Sequence, residues 1–179
     1  MNNLRSSRTH STRSRPVVEM LSPMAGFTLI EMVVTVMIAA ILATMALPSY
    51  TAFVANQRVK SVGADLMITM IKARNEAIMR NANVTVSANA GGWQNGWQTT
   101  DNNNAILDTL GAAPQTVAIS ANFTGTGGSV IYQSSGRLNP TLTGAASFTI
   151  TSSKSASAYQ CVTTDLSGRP NTKTTTPCP

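Results

Sequence analysis

The sequence predicts an α+β protein in which a long N-terminal helix packs on a C-terminal antiparallel β-sheet domain. Three observations support this fold class: an apolar run of helical length, an amphipathic continuation of that run, and a change after Asn81 to short β-prone segments broken by Gly, Asn and Pro. Aromatic residues make up 5% of the chain and charged residues 11%. This composition suits an exported β-rich domain better than a cytosolic enzyme.

The first element is an apolar run of some twenty residues that follows Gly26 and ends before Pro48. It is long enough to cross the roughly 30 Å hydrocarbon core of a bilayer as a helix. The arginines that precede it predict a cytoplasmic N-terminus and an outward-facing C-terminal domain: Arg5, Arg8, Arg13 and Arg15. The alternative is a secretory signal cleaved after Ala46. The long polar N-terminal region, the carboxylate of Glu31 and the helical pattern beyond Pro48 count against that alternative.

The helix is predicted to continue to about Asn81, because apolar residues recur at three- and four-residue spacings. The predicted buried face comprises Phe53, Val59, Val62, Leu66, Met70, Ala73 and Ala77. Charged residues fall largely off this face and are expected to be solvated: Arg58, Lys60, Asp65, Lys72, Arg74, Glu76 and Arg80.

Short β-prone runs follow, and their spacing predicts an antiparallel meander that covers the helix. The predicted strands are residues 84–87, 117–120, 129–132, 147–151 and 159–164. Between the first two, the Asn95-Gly96 pair favours a tight turn. Trp93 and Trp97 could stack on nucleic-acid bases, but packing in the core or in a hairpin is the commoner role for such a pair.

The net charge of +6 is a weak indication of a nucleic-acid partner, because most of the excess lies near the N-terminus. From Asn81 onward the chain has four basic and three acidic side chains. Nucleic-acid binding would therefore require local clustering of the basic residues.

The stretch Gly26-Phe27-Thr28-Leu29-Ile30-Glu31 resembles the cleavage motif of type IV prepilins and pseudopilins. The resemblance implies that a prepilin peptidase removes a leader, residues 1–26, by cutting between Gly26 and Phe27, and that Phe27 is then N-methylated. It also implies a transmembrane and filament-core helix over residues 27–53, and a periplasmic or extracellular domain over residues 54–179. The expected partners are major and minor pilins and the inner membrane, which the protein crosses once before it enters an extracellular pilus.

The resemblance gives Glu31 an assembly role. The new amine of Phe27 and the Glu31 carboxylate could form an ion pair between neighbouring subunits in an apolar filament core. Removing one partner of a buried ion pair leaves an uncompensated charge and costs roughly 3 to 5 kcal/mol. Glu31 is therefore expected to fix the register of assembly.

Several motifs of the second half resemble the GspH/FimT group of minor pilins and pseudopilins, which includes FimT- and FimU-like proteins. They occur in the order residues 72–80 with Val84-Thr85-Val86, residues 93–97 with Asp101, Ser135-Gly136-Arg137, and Ser167-Gly168-Arg169. In FimT-like proteins linked to natural transformation, a C-terminal Gly-Arg-x-Arg motif contributes to DNA binding. Here Gly168 and Arg169 match that motif, Asn171 occupies the second arginine position, and Lys173 follows two residues later.

The resemblance thus implies a double-stranded DNA site at Gly168, Arg169 and Lys173, with Arg137 and Lys154 as further cations that could converge on it. Sequence-independent, salt-sensitive phosphate contacts are the expected chemistry. The alternative is a β-turn with a solvated arginine.

Cys161 and Cys178 lie in the exported part, so a disulfide is expected, worth roughly 3 kcal/mol in the chain-entropy model. Neither a metal site nor a cofactor is expected, because the single histidine, His10, lies in the leader. No close carboxylate pair, phosphate loop or dinucleotide fingerprint is present either, which predicts a protein that is not an enzyme. The expected function is that of a minor type IV pilin that supports assembly and DNA uptake. The alternatives are a GspH-like pseudopilin of type II secretion and a structural minor pilin without DNA binding.

Overall fold

The computed structural model describes residues 26–123, 128–142, 144–174 and 178. All of the predicted leader except Gly26 lies outside these ranges. The chain divides into two units, residues 1–40 and residues 41–179. The elements in chain order are α1 (Leu29–Arg80), β1 (Val84–Ala88), a 3-10 turn (Trp93–Asn95), β2 (Trp97–Thr100), β3 (Ile106–Leu110), β4 (Val117–Asn122), β5 (Val130–Tyr132), β6 (Ala146–Ser152), β7 (Ser155–Thr164) and β8 (Pro170–Lys173).

Helix α1 begins with a side-chain cap. The Thr28 hydroxyl oxygen accepts a hydrogen bond from the Glu31 backbone N–H at 3.2 Å, and the Thr28 carbonyl accepts one from Met32 N–H. The side-chain bond satisfies one of the otherwise unpaired donors of the first turn, and the carbonyl bond is the first regular bond of the helix. The Thr-Leu-Ile-Glu sequence that carries the prepilin resemblance is therefore also a local helix-start signal.

The other end of α1 closes in a Schellman motif. Asn81 adopts a positive φ of 49°, its N–H donates to the Ile78 carbonyl, and the N–H of Ala82 donates to the Ala77 carbonyl. Asparagine tolerates this left-handed conformation better than most residues, which explains why the helix ends here.

The strands form two four-stranded sheets with entirely antiparallel pairing among the described residues. The strand order is β3-β2-β1-β5 in one sheet and β4-β6-β7-β8 in the other. The α+β fold class with a helix packed on antiparallel sheets is confirmed. The prediction of a single meander was wrong, because β5 lies beside β1 and β4 lies beside β6, and neither pair is consecutive along the chain.

The core lies between the C-terminal half of α1 and the inner faces of the sheets. Six of the seven residues predicted for the buried helix face are buried, and they are joined by Ala55, Gly63 and Thr69. The predicted burial of Phe53 was wrong. Its side chain is 61% exposed, because the buried part of the helix starts only at Ala55.

Both tryptophans pack in the core, which excludes them as base-stacking platforms in this fold. The Trp97 indole N–H donates to the Thr69 hydroxyl at 3.0 Å, and the Trp93 ring lies edge-on to Phe148 with centroids 4.7 Å apart. The Asn95-Gly96 turn forms, with Gly96 N–H donating to the Trp93 carbonyl, but as a 3-10 turn that leads into β2.

Candidate functional site

Two hairpin turns of the same design carry the two Ser-Gly-Arg sequences. The first turn, residues 133–137, follows β5, and the second turn, residues 165–169, joins β7 to β8. In each, the glycine N–H donates to the carbonyl three residues earlier at 2.8 Å, and the arginine carbonyl accepts from the N–H four residues earlier. The glycines have φ angles of 75° and 82°. This is a type I turn followed by a left-handed glycine bulge, which requires glycine at that position.

These twin turns pack directly on each other. A Cβ atom on Gly168 would lie 1.9 Å from the Gly136 carbonyl oxygen and 3.3 Å from the Arg137 Cα. The Leu138 N–H also donates to the Leu166 carbonyl at 3.3 Å. The absence of a side chain at Gly168 therefore serves two purposes, since it permits the turn and permits the neighbouring turn to approach.

Helix α1 supports the first turn through Arg74. The Arg74 Nε–H donates to the Gly136 carbonyl at 3.0 Å, and the Ile78 side chain lies directly against Gly136. Arg74 is thus partly buried beneath the turn, which corrects its predicted place on a solvated face.

Two buried hydroxyls lie at the strand ends from which the turns project. Tyr132 pairs with Leu138 across the first turn, and Thr164 pairs with Pro170 across the second. Neither hydroxyl has a hydrogen bond of standard geometry in the described part of the chain. Burial raises the pKa of Tyr132, while the nearby Thr164 hydroxyl and Arg74 oppose that rise. The phenol is therefore neutral in every ordinary buffer.

The second turn is stabilised by its own carboxylate. Asp165 Oδ1 accepts hydrogen bonds from the Ser167 hydroxyl at 2.6 Å and from the Arg169 N–H at 2.9 Å. The hydrogen bond from the Ser167 side chain, followed by that from the Arg169 backbone, lowers the pKa of Asp165 below its ordinary value. Asp165 is ionised at neutral pH and orders the backbone that presents Arg169.

The twin turns bring Arg137 and Arg169 to one end of the domain. Both arginines are exposed, and neither forms an ion pair with a carboxylate within the described ranges. A groove of about 360 Å³ runs beside them, lined by Gln133, Arg137, Leu138, Pro140, Leu142 and Leu166. Two unpaired guanidinium groups on adjacent rigid turns can engage phosphate oxygens through planar, bidentate hydrogen bonds.

Lys173 lies further along the same edge. It ends β8, pairs in register with Cys161, and is exposed on the same strand face as Asn171. Four residues of extended chain separate it from Arg169, or about 13 Å. This is within reach of a second or third phosphate along a nucleic-acid backbone.

Lys154 does not join this cluster. It follows β6 in the turn to β7 and lines a different groove together with Tyr50, Arg58 and Thr116. The convergence expected for Lys154 with Arg169 is wrong, because β7 runs ten residues between the two turns at its ends.

The C-terminal tail is attached to the domain by the Cys161–Cys178 disulfide, with Cα atoms 5.6 Å apart. The bridge joins the tail to the centre of β7, on the face opposite the helix-facing residues Gln160 and Val162. It therefore restrains the chain beyond β8, next to Lys173.

The N-terminal motif is fully accessible in the first unit. Phe27 is 75% exposed, and the Glu31 carboxylate forms no ion pair with any described residue. The apolar part of α1 is long enough to cross a membrane, and none of it is buried.

Sequence reasoning did not identify Arg74 or Asp165 as parts of the site. The signal for Asp165 was present, because an Asp three residues before a Gly, as in Asp165-Leu166-Ser167-Gly168, is typical of a side-chain-capped turn. No local signal marked Arg74, since its partner carbonyl is 62 residues away.

Comparison with known families decides the classification. The model of the type II transport protein GspH family matches residues 63–168, more than half of the chain. The chain belongs to the GspH family. The prokaryotic N-terminal methylation motif matches residues 22–47, which implies processing of this GspH-family protein by a prepilin peptidase.

Solved structures show the same fold at low sequence identity. The type IV minor pilin FimU of Pseudomonas aeruginosa superimposes with a TM-score of 0.54 and 16% identity, over 68% of this chain and 92% of FimU. The minor pseudopilin EpsH of the Vibrio cholerae type 2 secretion system superimposes with a TM-score of 0.51 and 10% identity, over 65% of this chain and 96% of EpsH. No curated protein sequence matches the chain significantly. The structure therefore has the type IV pilin-like fold.

Proposed function

We propose that this GspH-family protein is a non-enzymatic minor pilin that is anchored in the inner membrane with its domain outside the cytoplasm, and is then built into a type IV pilus. The observation that carries the proposal is the combination of an N-terminal methylation motif with a GspH domain on one continuous helix. Cleavage between Gly26 and Phe27 would leave the capped, accessible start of α1 as the new N-terminus.

Within the filament, Glu31 would pair with the Phe27 amine of a neighbouring subunit. The carboxylate has no ion-pair partner among the described residues of its own chain and is surrounded by exposed apolar side chains. Burying those side chains between subunits favours assembly, and the charge pair restricts the register in which it occurs.

Mass spectrometry of the protein purified from its host tests the processing step. We expect a mature N-terminal peptide beginning with N-methyl-Phe27. A Glu31→Gln variant should be processed and membrane-bound but depleted from sheared pili, whereas equal recovery of both proteins in pili would contradict the assembly role.

We further propose that the twin turns bind the backbone of double-stranded DNA during uptake. Arg137 and Arg169 supply two cations at one end of the domain, and Lys173 supplies a third about 13 Å further along β8. Arg137 takes the place of the second motif arginine that Asn171 replaces in the sequence. Contacts to three phosphates predict weak, sequence-independent binding. The logarithm of the association constant should fall linearly with the logarithm of the salt concentration, at a slope of about −2 to −3.

Fluorescence anisotropy with the full chain in neutral detergent tests the DNA proposal across a salt series. Arg169→Glu and Lys173→Glu should each weaken binding and reduce the slope by about 1. Lys154→Glu, which changes the charge equally at a different site, is the matched control. Binding that is absent at low salt, or lost equally in the control, would leave a minor pilin without a DNA site.

The second candidate function is a pseudopilin of type II secretion, favoured by the description of the matching family and by the fold shared with EpsH. Deletion of the gene separates the candidates. Loss of pili, loss of DNA uptake with pili intact, and loss of exoprotein secretion each identify one role.

A further inference from the structure

A second basic site lies at the opposite end of the globular domain from the twin turns. A groove of about 380 Å³ is lined by Tyr50, Thr51, Val54, Ala55, Arg58, Thr116 and Lys154. The floor is apolar, with Val54 and Ala55 at least partly buried, while Arg58 and Lys154 are exposed. The groove thus combines an apolar floor with two cations.

The strands hold the cationic side of this groove in place. Arg58 Nη1 donates to the Thr116 hydroxyl at 3.3 Å, and the Thr116 carbonyl accepts from Ser153 N–H at 3.0 Å. Ser153 immediately precedes Lys154 in the turn between β6 and β7. One residue, Thr116, therefore connects the helix arginine to the turn that carries the lysine.

The residues that line this groove include no carboxylate; Asp65, two turns further along α1, lines the neighbouring groove together with Arg58. The segments that form the groove belong to two stretches, residues 32–64 and 109–164, and neither contains an Asp or a Glu. An anion is thus the complementary ligand, and an apolar floor favours an anion that carries apolar groups.

The groove lies just beyond the end of the apolar run. Measured along the helix from Leu47, Tyr50 is about 5 Å and Arg58 about 16 Å away. The polar headgroup layer extends roughly 5 to 8 Å beyond the hydrocarbon core on each side of a bilayer. Tyrosine is enriched in this headgroup layer. Arg and Lys residues that lie outside the layer extend their side chains several ångströms towards the lipid phosphates.

We propose that this groove binds the headgroup of an anionic membrane phospholipid, with Arg58 and Lys154 on the phosphate and Tyr50 at the glycerol level. The inference rests on the proposed membrane-anchored state. In addition, the unassembled subunit is attached to the membrane by its globular domain as well as by its helix. Because a filament contains no bilayer at this position, the lipid contact is lost on assembly, and anionic lipid favours the unassembled pool.

Photolabelling in nanodiscs tests the proposal with the full chain. The protein is reconstituted with phosphatidylglycerol that carries a diazirine near its headgroup, and labelled peptides are located by mass spectrometry. Recovery of the chain in nanodiscs after a carbonate wash reports membrane anchoring separately. We expect labels in the peptides that contain Tyr50 and Lys154, and a severalfold loss of them in Arg58→Gln and in Lys154→Gln.

Lys60→Gln is the matched control, because it removes the same charge two residues from Arg58 but outside the groove. Equal loss in Lys60→Gln, or equal labelling by a phosphatidylcholine probe of the same design, would show general attraction to a lipid surface and overturn the site. Failure of the chain to remain in washed nanodiscs would contradict the anchoring itself.

Discussion

The two Ser-Gly-Arg turns have the same backbone hydrogen bonds but are stabilised by different partners. The first turn rests on helix α1, where Arg74 donates to the Gly136 carbonyl. The second turn is stabilised internally by the Asp165 carboxylate, and it contacts the first turn through Gly168 and through the Leu166 carbonyl, which accepts from the Leu138 N–H. A short sequence can thus determine the shape of a turn, whereas the position of the turn, and therefore the joint use of two arginines, depends on distant residues.

The largest expected effect on this pair comes from Gly168→Ala. A methyl group there would collide with the Gly136 carbonyl at a φ of 82°, so we expect a loss of about 3 to 4 kcal/mol in the free energy of unfolding. Gly128→Ala is the matched control, because Gly128 has a φ of 83° and its added methyl group would meet no atom within 4 Å in the described part of the chain. Denaturant unfolding should show a loss of about 1 kcal/mol in the free energy of unfolding for the control. Equal losses would mean that the contact between the turns is unimportant.

Removal of the disulfide should affect the second turn and spare the first. Cys161 and Cys178 are 17 residues apart, so replacing both with Ser should cost roughly 3 kcal/mol of unfolding free energy. Hydrogen exchange should accelerate first in β8, the strand that follows the second turn. Uniform acceleration in both turns would show that they unfold as one unit.

Arg74→Gln should loosen the first turn. The change removes the Nε–H donor to the Gly136 carbonyl and should cost about 1 to 2 kcal/mol. Lys72→Gln, which removes an exposed ion pair with Asp108 on the same helix, should cost less than about 1 kcal/mol. Amide exchange of Gly136 compared with that of Gly168 separates a local effect on the first turn from general destabilisation.

The smallest effect concerns pH. Since the pKa of Asp165 is lower in the folded protein than in the unfolded chain, its contribution is fully present above the unfolded value of 3.8 and is lost as pH falls through the folded value. The protection factor of the Arg169 amide, which corrects for the intrinsic pH dependence of exchange, should therefore fall in acid and stay constant between pH 5 and 8. Asp165→Asn should remove this pH dependence, and a second turn that loosens near neutrality would contradict the assignment.

Local signals predicted much of the fold. The α1 periodicity placed Val59, Leu66 and Met70 in the core, and the β-turn at Gly168-Arg169 was expected as the alternative to a DNA site. The strands β2, β3 and β8 were not predicted. β3 and β8 are edge strands without a fully buried residue, and β2 has only four residues, so their own sequences carry little alternation.

The site was predictable only residue by residue. Gly168, Arg169 and Lys173 follow from a motif, but their proximity to Arg137 and their distance from Lys154 depend on strand order. Sequence spacing does not determine strand order when non-sequential strands pair.

Joint binding of DNA by the twin turns can be measured directly by comparing Arg137→Gln, Arg169→Gln and the double variant in fluorescence anisotropy at low salt. If both arginines contact the DNA, the two single variants lose similar amounts of affinity, the double variant shows no measurable binding, and Lys154→Gln is unchanged. Wild-type affinity in Arg137→Gln would show instead that the second turn acts alone.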